Sequence, residues 1–318
     1  MRICRFLWEG RARAGGVVGG NVILLASAAG VASGRLRLRG IEDLFGLPDE
    51  RIGEIEEGLV RLMNAGLGLG VLDEEAGVVR IVEELAGDGG ESAPLLPPVA
   101  PVRNIVCIGK NYRAHVNEVA GTAIGRDTPE APVVFTKATT AVIGPGGTIP
   151  AHRDVTRELD YEGEIAVILG RGGRRIPVES AWDHVFGLTL INDVTARDLQ
   201  RRHRQFFLGK SLDGAAPLGP VIVHRSALPP VEEITLTTAV NGERRQEGRL
   251  SDLIFDVPTL IATLSAGMTL LPGDIIATGT PAGVGGGFDP PRFLAPGDVV
   301  EVASPAIGRL VNRVGGDG

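Results

Sequence analysis

The sequence predicts an α+β protein that is mostly β, with a small N-terminal α+β domain over residues 1–95 and a larger domain over residues 96–318. From residue 104 onward, short apolar runs outnumber helical patterns, and glycine and proline separate them, which is typical of strands joined by turns. Residues 87–101 are rich first in glycine and then in proline, so we interpret them as a flexible stretch followed by a stiff one. This change in composition predicts the domain boundary.

The N-terminal domain is predicted to combine strands with one helix. Residues 2–8 and 21–27 are predicted strands joined by a glycine-rich turn. Apolar residues recur at helical spacing over residues 52–63, and Gly66 ends that helix. Residues 78–82 predict a further short strand. No residue pattern in this domain indicates chemistry.

The larger domain is predicted to contain a hairpin, several more strands and three helices. The Asn241–Gly242 pair lies between two strand-like segments and is a strong signal for a type I′ turn. The predicted strands cover residues 105–108, 133–135, 165–169, 185–191, 234–240, 299–302 and 307–311, and the predicted helices cover residues 111–118, 195–200 and 254–264.

The composition argues against several classes of protein. The formal charge is −7 and no basic patch is interleaved with aromatic residues, so nucleic-acid binding is not expected. No apolar run reaches ~18 residues, and the first residues lack a clean signal-peptide core, so no membrane association is expected. Cys4 and Cys107 lie far apart in apolar runs, which favours buried thiols in a reducing compartment. We therefore expect a cytoplasmic protein.

Acidic residues precede the apolar run of residues 165–169, which Gly170 closes. Side chains alternate along a strand, so Glu162 and Glu164 are predicted to lie on one side, with Asp160 as a possible third. Like charges repel and lose hydration when a core forms behind them, and a divalent cation held by hard oxygens would compensate. An exposed acidic edge strand is the alternative explanation for this pattern.

A third carboxylate favours the metal site over that alternative. The apolar run of residues 185–191 ends at Asn192 and Asp193, so Asp193 stands at the end of a second predicted strand. Three carboxylates without a neighbouring Cys or His favour Mg²⁺, Mn²⁺ or Ca²⁺ over zinc. The sequence therefore predicts a metal site formed by Glu162, Glu164 and Asp193.

The predicted helix at residues 111–118 carries a candidate general base. His115 and Glu118 are separated by three positions and therefore share one helical face. A carboxylate beside an imidazole fixes its tautomer and raises its basicity. An incidental surface pair is the alternative. Residues 121–132 are predicted to form a mobile loop that could act as a lid.

Lysine is scarce, because only three of the 32 lysine and arginine residues are lysines. This bias suggests that Lys110, Lys137 and Lys210 lie where a compact ammonium is needed, with chance as the alternative for each of them. Lys210 is a candidate for neutralising a developing enolate.

Polar residues that follow Asp193 in the sequence are candidates for substrate binding. Arg197 and Gln200 follow Asp193 and could bind a substrate carboxylate or orient the metal ligands, with a structural salt bridge as the alternative for Arg197. Residues 273–285 are rich in glycine but lack the G-K-[ST] pattern of a phosphate loop. They are interpreted as a tight loop that presents Thr280 and backbone N–H groups to an anion.

Taken together, six motifs resemble those of the fumarylacetoacetate hydrolase family in order and spacing, over residues 104 to about 313. They are G-K-N-Y at 109–112 with His115 and Glu118, L-D-Y-E-G-E at 159–164, N-D-V-T-A-R-D-L-Q at 192–200, G-K-S at 209–211, V-N-G-E at 240–243 and T-G-T-P-A-G-V-G at 278–285. The N-terminal part is similar to the small domain that many bacterial members carry.

The resemblance implies a mixed β-roll or sandwich of the family's C-terminal type, usually in a homodimer, with Mg²⁺ or Mn²⁺ at the site and Ca²⁺ possible in a crystal. By resemblance, the metal ligands are Glu162, Glu164 and Asp193. The family's other site residues map onto the lid pair His115 and Glu118, the lysine Lys210, the anion-binding threonine Thr280 and a second substrate-facing lysine, Lys137. The fourth acidic ligand of the eukaryotic fumarylacetoacetate hydrolases has no clear counterpart here, which argues against fumarylacetoacetate itself as substrate.

The resemblance also implies a reaction. Family members bind a 2-oxo acid at the metal, which stabilises an enolate. The expected activity is metal-dependent hydrolysis of a C–C bond in an acylpyruvate-type 2,4-dioxo acid. The alternatives are isomerisation of 2-hydroxyhepta-2,4-diene-1,7-dioate in aromatic catabolism and decarboxylation of a 2-oxo acid. A catalytically inactive binding protein is disfavoured, because the acids, His115, Glu118 and Lys210 are all present.

Overall fold

The computed structural model describes residues 1–8, 10–25, 38, 40–66, 68, 70–76, 78–81, 92–118 and 128–316. Its helices are α1 (Asp49–Asn64), α2 (Arg113–Glu118), α3 (Arg197–His203), α4 (Phe207–Lys210) and α5 (Val257–Ser265). Its strands are β1 (Arg2–Trp8), β2 (Arg11–Val18), β3 (Asn21–Leu24), β4 (Gly70–Asp73), β5 (Val78–Ile81), β6 (Ser92–Leu96), β7 (Ile105–Gly109), β8 (Val133–Lys137), β9 (Val142–Ile143), β10 (Thr148–Ile149), β11 (Leu159–Asp160), β12 (Gly163–Leu169), β13 (Val185–Asn192), β14 (Thr195–Ala196), β15 (Ala216–His224), β16 (Thr235–Val240), β17 (Glu243–Arg249), β18 (Ile275–Ala277), β19 (Val299–Ser304) and β20 (Gly308–Val314). The predicted α+β, mostly β class is confirmed.

The first six strands close on themselves. They pair in the order β2-β3-β4-β5-β6-β1, and β1 also pairs with β2, so they form a six-stranded antiparallel barrel. Helix α1 covers one side of this barrel and buries its apolar face, which includes Ile52, Ile55 and Leu59. The predicted helix at residues 52–63 is thus confirmed, with its start three residues earlier.

The predicted glycine-rich turn before residue 21 is confirmed only at Gly19 and Gly20, which both have positive φ, because strand β2 (Arg11–Val18) occupies the residues before them. Gly15 and Gly16 belong to β2, and a Cβ at Gly16 would collide with the side chain of Leu59. These glycines therefore allow α1 to approach the strand closely, and they are not turn residues. Of the predicted strand at residues 21–27, residues 26 and 27 lie outside the described residues, as does residue 82 of the predicted strand at 78–82.

One sheet joins the barrel to the rest of the chain. Strand β1 pairs with β15, with Arg2 opposite Val223, and the sheet continues in the order β15-β13-β12-β18-β7-β8. Strand β15 was not predicted, because Pro217 and Pro220 interrupt the pattern that marks a strand. Strands from both predicted domains therefore share a sheet, and the boundary at residue 95 stays a prediction.

Strands β12 and β13 form the centre of this sheet, and every residue in both is buried. Their side chains alternate between two apolar cores. Ala166 and Ile168 pack into one core, whereas Ile165 and Val167 pack into the other. Because both faces of the sheet are covered here, residues 165–169 are all apolar and do not alternate between apolar and polar residues.

A second sheet of five strands has the order β10-β20-β19-β16-β17. Its β16–β17 hairpin turns at Asn241 and Gly242, which both have positive φ, as a type I′ turn requires. Helix α5 begins after Asp256, whose side chain accepts a hydrogen bond from the backbone N–H of Thr259, so it starts three residues later than predicted. Among the described residues, no helix combines the length and hydropathy that a bilayer crossing needs.

Candidate active site

Three buried carboxylates meet where the central strands end. Glu164 lies on β12, Glu162 directly precedes that strand, and Asp193 directly follows β13. Because Gly163 pairs with Asn192 across the two strands, the three acids come to one place, and their carboxylate oxygens lie within 4.8 Å of one another. The predicted set of three acids is therefore assembled in the structure. We call it the carboxylate cluster.

Cations neutralise two of the three carboxylates. The ammonium of Lys210 lies 2.5 Å from Glu162 and 2.7 Å from Asp193, and that of Lys137 lies 2.6 Å from Asp193. Burial alone raises the pKa of Glu162, but Lys210 and then Arg197 outweigh it and hold the pKa at about 2. Glu162 is therefore ionised throughout the physiological range.

Glu164 is different, because no described lysine or arginine forms an ion pair with it. One of its oxygens accepts a hydrogen bond of 2.8 Å from the backbone N–H of Gly279. Burial, followed by the nearby carboxylates of Asp193 and Glu162, raises the pKa of Glu164 well above its usual range. The ionised form of Glu164 is therefore the one carboxylate of the cluster without a paired lysine or arginine among the described residues.

This imbalance and the donor set both fit a divalent cation. The cluster offers carboxylate oxygens alone, which are the ligands that Mg²⁺, Mn²⁺ and Ca²⁺ prefer. A cation bound there would compensate the charge on Glu164. The residues present therefore fit the metal that the sequence predicts.

Two members of the cluster, Glu162 and Glu164, line a cavity. Lys210 extends into this cavity beside the ring of Phe135, with its ammonium 4.9 Å from the ring centroid, and Phe206 packs edge-on against the same ring. The cavity is lined by Ile108, Gly109, Lys110, His115, Phe135, Glu162, Glu164, Arg197, Gln200, Phe206, Lys210 and Thr280. Most of the residues predicted for the site therefore meet there.

The three lysines of the chain all belong to this region. Lys110 and Lys210 line the cavity, whereas Lys137 is fully buried behind Asp193. Besides its bond to Asp193, Lys137 donates a hydrogen bond of 2.9 Å to the carbonyl of Val194. In this position Lys137 holds a member of the carboxylate cluster and does not line the cavity.

The His115–Glu118 pair is formed on α2. Nδ1 of His115 lies 3.0 Å from one carboxylate oxygen of Glu118, and the other oxygen accepts a hydrogen bond of 2.8 Å from the N–H of Gly283. An ionised carboxylate only accepts, so Nδ1 carries the proton and Nε2 is left as the basic nitrogen. Residues 121–127 of the predicted lid lie outside the described residues.

Arg197 is held by acids on both sides. Its Nε donates to Asp160 at 2.8 Å, and its Nη1 lies 2.7 Å from Glu162. Its Nη2 is buried and meets no hydrogen-bond partner among the described residues. Both readings of Arg197 therefore have support, because it forms structural ion pairs and also brings an unused donor to the cavity wall. Gln200 accepts from Nη1 at 3.3 Å.

Asp160 lies outside the carboxylate cluster, so it is not the third acid that strand alternation suggested. It belongs to β11, which is separate from β12, and alternation does not continue across that break. Its carboxylate instead accepts hydrogen bonds from the N–H groups of Gly285 and Gly286 as well as from Arg197.

Gln246 is a buried residue that sequence reasoning missed. It accepts from the N–H of Gly163 and donates to the hydroxyl of Thr280 at 2.7 Å and to the carbonyl of Pro281. Thr280 in turn donates to the carbonyl of Gly163. Gln246 thus ties the Thr280 loop to the acidic strand. The only available signal was the alternation of β17, which turns Gln246 inward from an otherwise charged strand.

The mixed β architecture places a cavity beside three buried carboxylates, which is an arrangement suited to binding a small molecule. A family model for the fumarylacetoacetate hydrolase C-terminal domain matches residues 104–315. The chain therefore belongs to the fumarylacetoacetate hydrolase family, as the sequence motifs predict.

Proteins that are similar to this chain carry names that denote different reactions. It is 55% identical over 219 residues to oxaloacetate tautomerase YisK of Bacillus subtilis, which covers 69% of this chain and 72% of that protein. A fumarylacetoacetate hydrolase structure from Exiguobacterium antarcticum is 37% identical, with a TM-score of 0.72 and 99% of both chains covered. A 2-hydroxyhepta-2,4-diene-1,7-dioate isomerase structure from Mycobacterium marinum is 28% identical, with a TM-score of 0.66, covering 100% of this chain and 99% of that one.

Proposed function

We propose that this chain is a divalent-metal-dependent enzyme that interconverts the keto and enol forms of a 2-oxo dicarboxylic acid such as oxaloacetate. The observation that carries the proposal is the cavity that Glu162, Glu164, Lys210 and His115 line together, with Glu118 bonded to His115. The 55% identity to a protein named oxaloacetate tautomerase supports this choice within the family.

Glu162, Glu164 and Asp193 would hold the metal, with Mg²⁺ or Mn²⁺ as the proposed ion. A divalent cation at this cluster supplies a Lewis acid that polarises the ketone of a 2-oxo acid. Lys210 contributes a compact positive charge next to the same carboxylates, so it can offset negative charge that develops on the substrate's oxygen.

His115 is proposed to transfer the proton. Glu118 keeps the proton on Nδ1, so the basic Nε2 can take a proton from the carbon next to the ketone and deliver it to the enolate oxygen, and the reverse transfer restores the keto form. Keto–enol interconversion needs this exchange and no attacking water.

Arg197 and Gln200 are proposed to bind the remote carboxylate of the substrate. The buried Nη2 of Arg197 meets no acceptor in the part of the chain that the structure describes, and a carboxylate is its best match. Thr280 lines the same cavity and is proposed to contact the substrate anion. Lys137 is proposed to act on the substrate only through Asp193.

Hydrolysis of a C–C bond in an acylpyruvate-type 2,4-dioxo acid is the second candidate. The fixed His115–Glu118 pair favours hydrolysis, because the same basic nitrogen could take a proton from a water molecule. The resulting hydroxide would then attack the distal carbonyl. Isomerisation of a 2-hydroxydienedioate and decarboxylation of a 2-oxo acid are further outcomes that the experiment must separate.

The test is a substrate panel with product analysis in H₂¹⁸O. Metal-depleted protein is reloaded with Mg²⁺ or Mn²⁺ and given enol-oxaloacetate, acylpyruvates and 2-hydroxyhepta-2,4-diene-1,7-dioate. The proposal predicts fast loss of the enol absorbance with all carbon atoms kept in one product. Hydrolysis would instead place one ¹⁸O in the carboxylic acid released from the acyl half. Failure to accelerate enol loss over the metal-only control would contradict the tautomerase proposal.

We also propose a cytoplasmic homodimer. Strand β8 is the last strand of its sheet among the described residues, and Val134 on it, together with Phe207 and Leu208 of α4, leaves apolar side chains between 42% and 50% exposed. Such a patch beside an open sheet edge suits a second copy of the chain. Both cysteines are buried and unpaired, as a reducing compartment allows. Light scattering on the purified protein tests the dimer.

A further inference from the structure

Tyr161 lies between Asp160 and the first acid of the carboxylate cluster, yet its own side chain points to the loop that holds Glu118. Its hydroxyl donates a hydrogen bond of 2.9 Å to the carbonyl of Gly283, and the N–H of Gly283 donates one of 2.8 Å to Glu118. Glu118 in turn holds Nδ1 of His115 at 3.0 Å. A short chain of hydrogen bonds therefore connects Tyr161 with His115.

We propose that Tyr161 is a positioning residue that fixes the tautomer of His115 through Gly283 and Glu118. The proposal deepens the proposed function, because it rests on His115 as the group that moves the proton. Tyr161 itself is 1% exposed and does not line the cavity, so it has no route to the substrate.

Gly283 needs such a restraint. Its φ is +108°, and a Cβ at this position would collide with the carbonyl of Arg245, so only glycine fits. Glycine has no side chain to restrict its backbone, and the direction of its N–H depends on bonds from outside. The Tyr161 hydroxyl donates a hydrogen bond to the carbonyl of Gly283, and the N–H of Gly283 donates one to Glu118.

The neighbouring residue strengthens the restraint. Asp160 accepts hydrogen bonds from the N–H groups of Gly285 and Gly286, two and three residues after Gly283. The dipeptide Asp160–Tyr161 thus fixes this glycine-rich loop at three backbone groups. Since the next residue is Glu162, the same segment positions the carboxylate cluster and the His115–Glu118 pair relative to each other.

The chain contains a matched control, because it has only two tyrosines. Tyr112 is also buried, and burial raises the pKa of both phenols. The Tyr112 hydroxyl, however, meets no hydrogen-bond partner among the described residues. Tyr161→Phe removes a bonded hydroxyl and Tyr112→Phe removes an unbonded one, while both variants keep the ring and its packing.

The first test reads the tautomer directly and needs no substrate. Side-chain ¹⁵N shifts of His115, assigned with His115→Gln, are compared in the wild type, Tyr161→Phe, Tyr112→Phe and Glu118→Gln. Tyr161→Phe should move the two ring nitrogens towards the mixed tautomer seen in Glu118→Gln, and Tyr112→Phe should leave them unchanged. Unchanged shifts in Tyr161→Phe would overturn the proposal even if the enzyme proves to be a tautomerase.

The second test is a kinetic double-mutant cycle on the panel's best substrate. Tyr161→Phe should lower kcat by about 3- to 10-fold, the size of one lost hydrogen bond, with KM and metal affinity within twofold of the wild type. In the Glu118→Gln background the same substitution should lower kcat by less than about twofold, because the path is already broken. Equal losses in both backgrounds, or a loss that appears in metal affinity, would show that Tyr161 does not act through Glu118.

Discussion

The barrel formed by β1–β6 and the carboxylate cluster use charge in opposite ways. On the barrel side, Arg61 pairs with Glu57 while both side chains are at least 65% exposed, and Arg80 pairs with Asp73 at the surface. At the cluster, Lys137 and Asp193 pair with neither side chain exposed at all. The same interaction is a solvated surface contact in one region and a fully desolvated one in the other.

The two kinds of ion pair differ in what they contribute to stability. A surface ion pair contributes about 0–1 kcal/mol, so the barrel's pairs are dispensable. Burying a charge costs several kcal/mol per ion in desolvation. Replacing a buried ion pair by apolar residues therefore often makes a protein more stable. We therefore attribute the acids, lysines and arginine that are buried together at the cluster to the proposed function. The barrel's interior, by contrast, contains the apolar residues that folding alone would favour.

His115→Ala should have the largest effect on turnover. Loss of a general base lowers kcat by about 10²–10⁴-fold, and metal affinity should stay unchanged because His115 is not in the cluster. Steady-state kinetics with Mn²⁺ titration checks both. A weaker metal site in this variant would mean that the imidazole belongs to the cluster after all.

Lys210→Arg and Lys210→Met should be almost equally inactive. The ammonium fits between Glu162 and Asp193 at 2.5 and 2.7 Å, where a planar guanidinium is too large and its charge too diffuse. We expect a loss of about 10²–10³-fold in kcat for both. An arginine variant with wild-type turnover would show that the position needs positive charge only.

His224 tests the junction of the two regions, because its backbone N–H donates a hydrogen bond to the carbonyl of Met1 in the barrel. Burial lowers the pKa of His224 to about 4, below the value of about 6.5 in an unfolded chain. The unfolded state therefore binds the extra proton between these pH values, and the stability that the neutral imidazole provides above pH 6.5 is lost as the pH falls towards 4. In His224→Gln the free energy of unfolding should drop less between pH 7 and pH 5, by about 1–2 kcal/mol.

The control for that titration is His203→Gln, which alters an exposed histidine on α3. It should follow the wild-type pH profile of urea unfolding. If His224→Gln and the wild type lose stability in parallel, the junction does not titrate as described.

The smallest expected effect is on the barrel surface. Arg61→Ala should change the free energy of unfolding by less than about 0.5 kcal/mol and leave turnover unchanged, because its pair with Glu57 is solvated. Thermal unfolding and the substrate assay check this. A large loss of either would mean that the barrel contributes more than a scaffold.

Local patterns predicted the elements that carry the site. The apolar runs before Gly170 and Asn192 predict strands, and the antiparallel pairing of these strands brings Asp193 to Glu162 and Glu164. The His115–Glu118 pair followed from helical spacing alone. These predictions succeeded because each depends on residues that are close in sequence or on the end of a strand.

Contacts between distant segments could not be predicted in this way. The local sequence predicts a turn where Gly16 lies, because the residue whose close approach requires a glycine, Leu59, is far along the chain. Strand β15 contains prolines that a local rule excludes from a sheet, and the role of Gln246 depends on a loop that lies 34 residues further on. The closed barrel and the link from Tyr161 to His115 are likewise products of tertiary packing.

The most direct test of the account is isothermal titration of Mn²⁺ into the wild type and Glu164→Gln, with Glu57→Gln on the barrel surface as the matched control. Three buried carboxylates predict one ion per chain in the wild type and in Glu57→Gln. Glu164→Gln should bind about 100-fold more weakly and lose turnover with it. Equal Mn²⁺ affinity in Glu164→Gln, together with turnover that survives exhaustive EDTA treatment, would contradict a metal-dependent carboxylate cluster.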